Sequence, residues 1–221
     1  TAVAVDGQGR VYVAESMNNR VRIFSQSGDL QADIPGLAKP ISVAVDGTGR
    51  IFVGKAWLGG VTVFAQARYE LFKLGRGDGE FIEPADIDID AGGQVYVTDK
   101  DNHAIRVYSP SGQFLRSIGT PGSGNGQLWH PCSLAIDPVA SELVVLDQQQ
   151  LMDNYAKTMI DGARIQFFSM DGTFRRGYTK FGYNLSAGQL VKPVGVTVDG
   201  AGRIYVTDAR VQKVMVYDKS N

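Results

Sequence analysis

Short apolar stretches alternate with clusters of glycine, aspartate and serine along the whole chain, and the same succession keeps returning. Val3-Ala4-Val5, Val43-Ala44-Val45, Ile87-Asp88-Ile89, Leu134-Ala135-Ile136 and Val196-Thr197-Val198 each run into an aspartate, namely Asp6, Asp46, Asp90, Asp137 and Asp199. A tight turn follows, written Asp-Gly-x-Gly in three copies, whose glycines accept a positive φ. A second apolar stretch comes next (Val11-Tyr12-Val13, Ile51-Phe52-Val53, Val95-Tyr96-Val97, Leu143-Val144-Val145, Ile204-Tyr205-Val206). A third ends on an aromatic residue: Phe24, Phe64, Tyr108, Phe168 or Tyr217. A second glycine turn (Ser27-Gly28, Ser111-Gly112, Asp171-Gly172) leads into a fourth, as in Phe114 to Ile118. Apolar runs of this length, punctuated by turn residues every 8 to 12 positions, predict an all-β antiparallel meander.

The repeat aspartates stand 40, 44, 47 and 62 residues apart. A period of roughly 40 to 45 residues with four short strands per unit predicts a β-propeller blade. The first strands carry small residues on one face (Ala2 and Ala4, Ser42 and Ala44, Ser133 and Ala135), which suits the crowded axis where they converge. The units run over 1–39, 40–83, 84–130, 131–192 and 193–221, and are expected to form a single domain. The fifth has no fourth strand, so the expectation is a six-bladed parent or an open array. A closed five-bladed ring is the alternative.

These copies resemble the NHL repeat. The resemblance rests on the core x-Val-Ala-Val-Asp-x-x-Gly-x-Val-Tyr-Val-x-Asp, followed by Asn-His or Asn-Arg and a third strand ending in an aromatic. Thr98-Asp99-Lys100-Asp101-Asn102-His103 and Ala14 to Arg20 match best, and the linker Gly126-Gln127-Leu128-Trp129-His130-Pro131 has an echo before Pro84 and another before Pro193. The resemblance implies a propeller that serves as a binding platform, and export to a periplasmic or extracellular location.

Net charge is −1, with 22 basic and 23 acidic residues, so no basic field exists to hold a phosphate backbone. Single-stranded RNA binding, which the resemblance also admits, is thereby disfavoured. One cysteine, Cys132, precludes an intrachain disulfide. No apolar run has the length of a membrane-spanning helix. The chain opens within a repeat, so a targeting segment is expected to have been removed or to lie upstream.

Candidate chemistry is sparse. Asp86 and Asp88 alternate on a first strand where other units have Ser, Ala, Gly or Thr, so two carboxylates would share a face near the axis. A divalent cation such as calcium in the central channel would relieve them. Solvation and bonding to nearby amides is the other reading, and no cofactor is required. The segment from Asp86 lacks the glycine and the glutamate of a calcium loop. With His103 and His130 the only histidines, a histidine-bound zinc lyase is poorly supplied. The recurring aspartates, and Asp99, Asp147 and Asp208 at the ends of second strands, read as turn caps.

Departures from the repeat are more informative. The second unit places Trp57 and Leu58 in the loop between its second and third strands, and the fourth inserts 148–162 in the equivalent loop. There Leu151, Met152, Tyr155, Met159 and Ile160 predict a short helix. Trp129 lies in a linker. Trp57, Leu58, Trp129 and Tyr155, with Arg20 and Arg76 nearby, are expected on one rim as anchors for a protein or peptide. Packing over neighbouring loops is the alternative. The favoured function is a noncatalytic scaffold, with a metal-dependent hydrolase or lyase second.

Overall fold

The computed structural model describes residues 2–56, 60–75, 80–153, 158–178, 190 and 192–218, with the backbone alone over 149–153 and 158–161. The chain forms two compact units, Thr1–Ser117 and Ile118–Asn221. Among the described residues the regular structure is β, apart from a single 3-10 turn at Ser16–Asn18. No helix there is long and apolar enough to cross a membrane.

The first blade is β1 (Ala2–Val5), β2 (Val11–Glu15), β3 (Arg20–Phe24) and β4 (Leu30–Ile34). The second is β5 (Pro40–Val45), β6 (Ile51–Lys55), β7 (Val61–Phe64) and β8 (Glu70–Leu74). The third is β9 (Pro84–Ile89), β10 (Val95–Asp99), β11 (Ala104–Tyr108) and β12 (Phe114–Ile118). The fourth comprises β13 (His130–Asp137), β14 (Glu142–Asp153), β15 (Thr158–Ser169) and β16 (Phe174–Tyr178), and the fifth β17 (Pro193–Val198), β18 (Ile204–Asp208) and β19 (Lys213–Tyr217). Each is an antiparallel meander in sequence order, four-stranded except for the three-stranded last. These are the blades of a β-propeller.

Blade construction follows from three local rules. At the first turn, the left-handed position is Gly9, Gly49, Gly93 or Gly202, with Ser141 in the fourth blade. At the second hairpin the same conformation falls on Asn19 (φ 52), Gly60, His103 (φ 54) or Gln212. Asn and His tolerate it better than branched residues do, which explains the Asn-Asn and Asn-His spellings. The third rule concerns proline. Pro40, Pro84 and Pro193 each open a first strand, Pro131 is the second residue of β13, and the pairing register shifts beside every one of them. Proline has no N–H to give the ladder, so the strand starts there and the linker turns away.

Blades adhere through alternate faces. Tyr12, Ala14, Val21 and Ile23 of the first blade pack with Val43, Ile51 and Val53 of the second. Ala44, Phe52, Val61 and Val63 on the opposite face of the second blade pack with Ile87, Val95 and Val97 of the third. In the other unit, Ala135, Val144, Ile165 and Phe167 meet Val196, Ile204 and Val206.

The helix expected over the inserted segment is not formed. β14 and β15 instead continue their pairing outward without a bulge, through Gln149↔Gly162, Leu151↔Ile160 and Asp153↔Thr158. Each added pair extends a ladder already in register, whereas a helix would have to break it and bear the cost of a new nucleus. Tyr155 lies outside the described residues.

Candidate functional site

The best-built surface feature is in the second unit, where a glycine-rich linker is folded onto the edge of the fourth blade. Asp147, at the point where β14 passes the start of β13, is fully buried. Its Oδ1 accepts the amides of Trp129 and His130, each at 2.9 Å, and its Oδ2 accepts Arg164 Nε at 3.0 Å. Burial pushes the Asp147 carboxyl up from its ordinary value, against the Trp129 amide, the Arg164 charge and the His130 amide, which pull it down. Arg164 in turn donates to the carbonyls of Gly122, Ser123, Gly124 and Gln127. Gln166 finishes the loop, with Nε2 donating to the Gln127 carbonyl and Oε1 accepting the Gly126 amide.

The outcome is a loop whose backbone is held by one guanidinium and one carboxamide. Its last residues present Trp129, which is 38% exposed with its ring edge-on to His130 at 5.8 Å. The extended pair β14 and β15 rises from the same edge, since His130 is paired with Gln148. Gln148 also reaches the Pro193 carbonyl of the fifth blade through Nε2.

The same clamp recurs in simpler form. Asp99 accepts the amides of Ile82 and Glu83 ahead of Pro84, and Asp208 accepts the Lys192 amide ahead of Pro193. Neither Arg164 nor Gln166 stands out in the sequence taken alone. A signal was nonetheless present: an acid closing the second strand pairs with a base opening the third in Glu15↔Arg20 and Asp208↔Lys213, and Asp147↔Arg164 is the matching pair within the longer β14 and β15.

Arg20 belongs to this structural class. Its Nε lies 2.7 Å from Glu15 Oε2 and its Nη1 3.3 Å from Asp33, and that contact holds the Glu15 carboxyl below its ordinary value. Arg20 is in the first unit and Trp129 in the second. Trp57, Leu58, Arg76 and Tyr155 lie outside the described residues.

Asp86 and Asp88 sit on β9. Asp86 Oδ1 accepts the amide of Ile87 at 2.9 Å and Asp88 Oδ1 that of Ile89 at 2.8 Å. Among the described residues no group of three or more His, Cys, Asp or Glu side chains is placed to hold a metal ion.

Comparison with known proteins places the repeat. A family model for the NHL repeat matches residues 81–108, which span the third blade from its linker to the end of β11. Protein brain tumor of Drosophila melanogaster is 28% identical over 148 residues, covering 67% of this chain and 12% of that protein. B-box type zinc finger protein ncl-1 of Caenorhabditis elegans is 31% identical over 146 residues, covering 66% of this chain and 15% of its own. This chain therefore spans a small part of either relative's length. The solved structure of a gluconolactonase from Xanthomonas campestris superposes with a TM-score of 0.71 at 18% identity, over 98% of this chain and 71% of that one. That likeness is one of fold. The chain thus carries an NHL repeat in its third blade, within a β-propeller built from five copies of one sequence unit.

Proposed function

We propose that the propeller is a noncatalytic platform that binds a protein or peptide on the surface carrying Trp129. The observation that carries this reading is the Asp147–Arg164 clamp. A buried ion pair and four carbonyls of the 122–127 loop brace the segment that carries an aromatic side chain 38% exposed. Aromatic anchors on a rigid support are the usual energetic centres of interfaces, because little conformational entropy is lost when they are covered. The recurring aspartates serve the fold. Asp6, Asp46, Asp90 and Asp199 cap turns, while Asp99, Asp147 and Asp208 fasten linkers.

Peptides selected from a random display library on the whole chain provide the probe. Trp129→Ala should weaken the selected peptides by about thirtyfold or more, as loss of a central anchor does. Arg20→Ala, on the first unit, should leave them unchanged. Peptides that bind wild type and Trp129→Ala alike would overturn the assignment of this surface.

A further inference from the structure

Asn125 and Gly126 form the one Asn-Gly pair in the sequence, and they sit inside the loop that Arg164 and Gln166 hold. The Gln127 amide donates to the Gly124 carbonyl at 3.1 Å, closing a β-turn with Asn125 and Gly126 at its centre. Gly126 has φ 78, the left-handed value that the second central residue of such a turn takes and that glycine adopts without strain. A Cβ at this position would also lie 3.2 Å from Cβ of Phe174. Glycine is therefore required at 126. The requirement has a chemical consequence, because it sets Asn125, which is exposed, beside an unhindered main-chain nitrogen.

An asparagine so placed can be attacked by the nitrogen that follows it. The Gly126 nitrogen gives up its proton and adds to Asn125 Cγ; the N–Cγ bond forms, the Cγ–Nδ2 bond breaks, and ammonia leaves carrying a proton. Water then opens the succinimide. Opening at Cγ gives aspartate, while opening at the main-chain carbonyl gives isoaspartate, whose backbone runs through Cβ and Cγ and is one carbon longer. The attack needs the nitrogen within about 3–3.5 Å of Cγ with its lone pair aimed there. In the folded loop that nitrogen is engaged elsewhere, since its N–H donates to Gln166 Oε1 at 2.9 Å. Stripped of the proton, it would face the Gln166 oxygen lone pair to lone pair, which disfavours the reactive form. Arg164 bonds the carbonyls of Gly124 and Gln127 on either side, so turning the peptide plane toward Cγ breaks those bonds as well.

We infer that Asn125 is a deamidation site that Gln166 keeps closed, and that its conversion to isoaspartate releases the loop from Arg164. The loop must open before it reacts, so the rate of conversion follows the fraction of time for which the Gln166 bond is broken. After conversion the main chain has gained a carbon between two carbonyls that a single guanidinium holds at 3.0 and 2.6 Å, those of Gly124 and Gln127. The longer path does not return both to the same guanidinium. This inference does not depend on the role assigned to Trp129.

Peptide mapping by mass spectrometry on the whole chain, incubated in mildly alkaline buffer, tests it, with an isoaspartyl methyltransferase telling isoaspartate from aspartate. Folded wild type should convert at Asn125 at least about tenfold more slowly than the same chain unfolded in urea, the effect of one hydrogen bond on an opening equilibrium. Gln166→Met keeps the length of the side chain and removes the acceptor, and should speed conversion of the folded chain by about tenfold. Val206→Ala loosens the buried core of the same unit without touching the loop, and should convert at the wild-type rate. The isoaspartyl form, separated by chromatography, should exchange its Gly124 and Gly126 amides faster than unconverted protein. A folded wild type that converts as fast as the unfolded chain overturns the inference, and this comparison holds even if Gln166→Met does not fold. So does a Gln166→Met rate equal to wild type, or a Val206→Ala rate raised as far as that of Gln166→Met. Unchanged amide exchange in the isoaspartyl form would overturn release of the loop.

Discussion

The aspartate closing each first strand does several jobs with one carboxylate. In the first blade, Asp6 Oδ1 accepts the amides of Gln8 and Arg10 at 2.9 Å, and Oδ2 accepts Arg10 Nε at 2.6 Å and the Tyr12 hydroxyl at 3.0 Å. Asp199 repeats all four contacts with Ala201, Arg203 and Tyr205. A carboxylate so surrounded is favoured in its charged form. The Arg203 amide, the Arg203 guanidinium and the Tyr205 hydroxyl hold Asp199 down at about 2, against 3.8 for an ordinary aspartate. The sign of the pH effect follows. As pH falls, the unfolded chain takes up its proton first, so this contribution is whole above about pH 4 and is lost as pH approaches 2. Carboxyl NMR should give Asp199 a midpoint near 2, and Asp199→Asn should remove its share of the acid-side loss in urea midpoint. An Asp199 that titrates at the ordinary value would show that the cap is not formed in solution.

At the scale of elements, Asp99, Asp147 and Asp208 on three of the second strands tie the arriving linker to the blade. Asp147 is the extreme case, because Arg164 beside it serves the linker carbonyls as well. Removing one partner of a buried ion pair costs about 3–5 kcal/mol, since the other is left charged and uncompensated. Asp147→Ala should therefore lower stability by about that amount in denaturant melts. Asp147→Leu combined with Arg164→Met should cost less than the single change, although the linker carbonyls then lose their donor. What the sequence disclosed and withheld divides along this line. Strands, turns and caps were legible because they depend on neighbours two to six residues apart, such as Asp6 with Gln8, Arg10 and Tyr12. The clamp was not, since Asp147 bonds Trp129 eighteen positions back and Arg164 seventeen ahead. The inserted segment misled for another reason. Leu151, Met152, Met159 and Ile160 satisfy helical spacing, but Gln148 was already paired on both sides and the ladder continued. Trp129 was visible as an interruption of the pattern. What could not be read was the loop built to hold it.

For the molecule as a stack of repeats, stability is shared between neighbours, because no blade buries both faces alone. β6 makes this testable within the first unit. Its alternate residues point opposite ways: Val53 belongs to the cluster shared with the first blade, and Phe52 to the cluster shared with the third. Both are fully buried. Val53→Ala removes two methylene-sized groups and should cost about 2 kcal/mol, while Phe52→Ala should cost about 3–5 kcal/mol. The size of the loss matters less than its direction. Hydrogen exchange after Val53→Ala should quicken in β2, β3 and β6 while β10 and β11 stay protected. After Phe52→Ala it should quicken in β6, β9 and β10 and leave β2 and β3 slow. If both substitutions raised exchange evenly from β1 to β12, the unit would be opening as one cooperative body. Junction-by-junction energetics would then be the wrong description, even though two consecutive side chains of one strand face different neighbours.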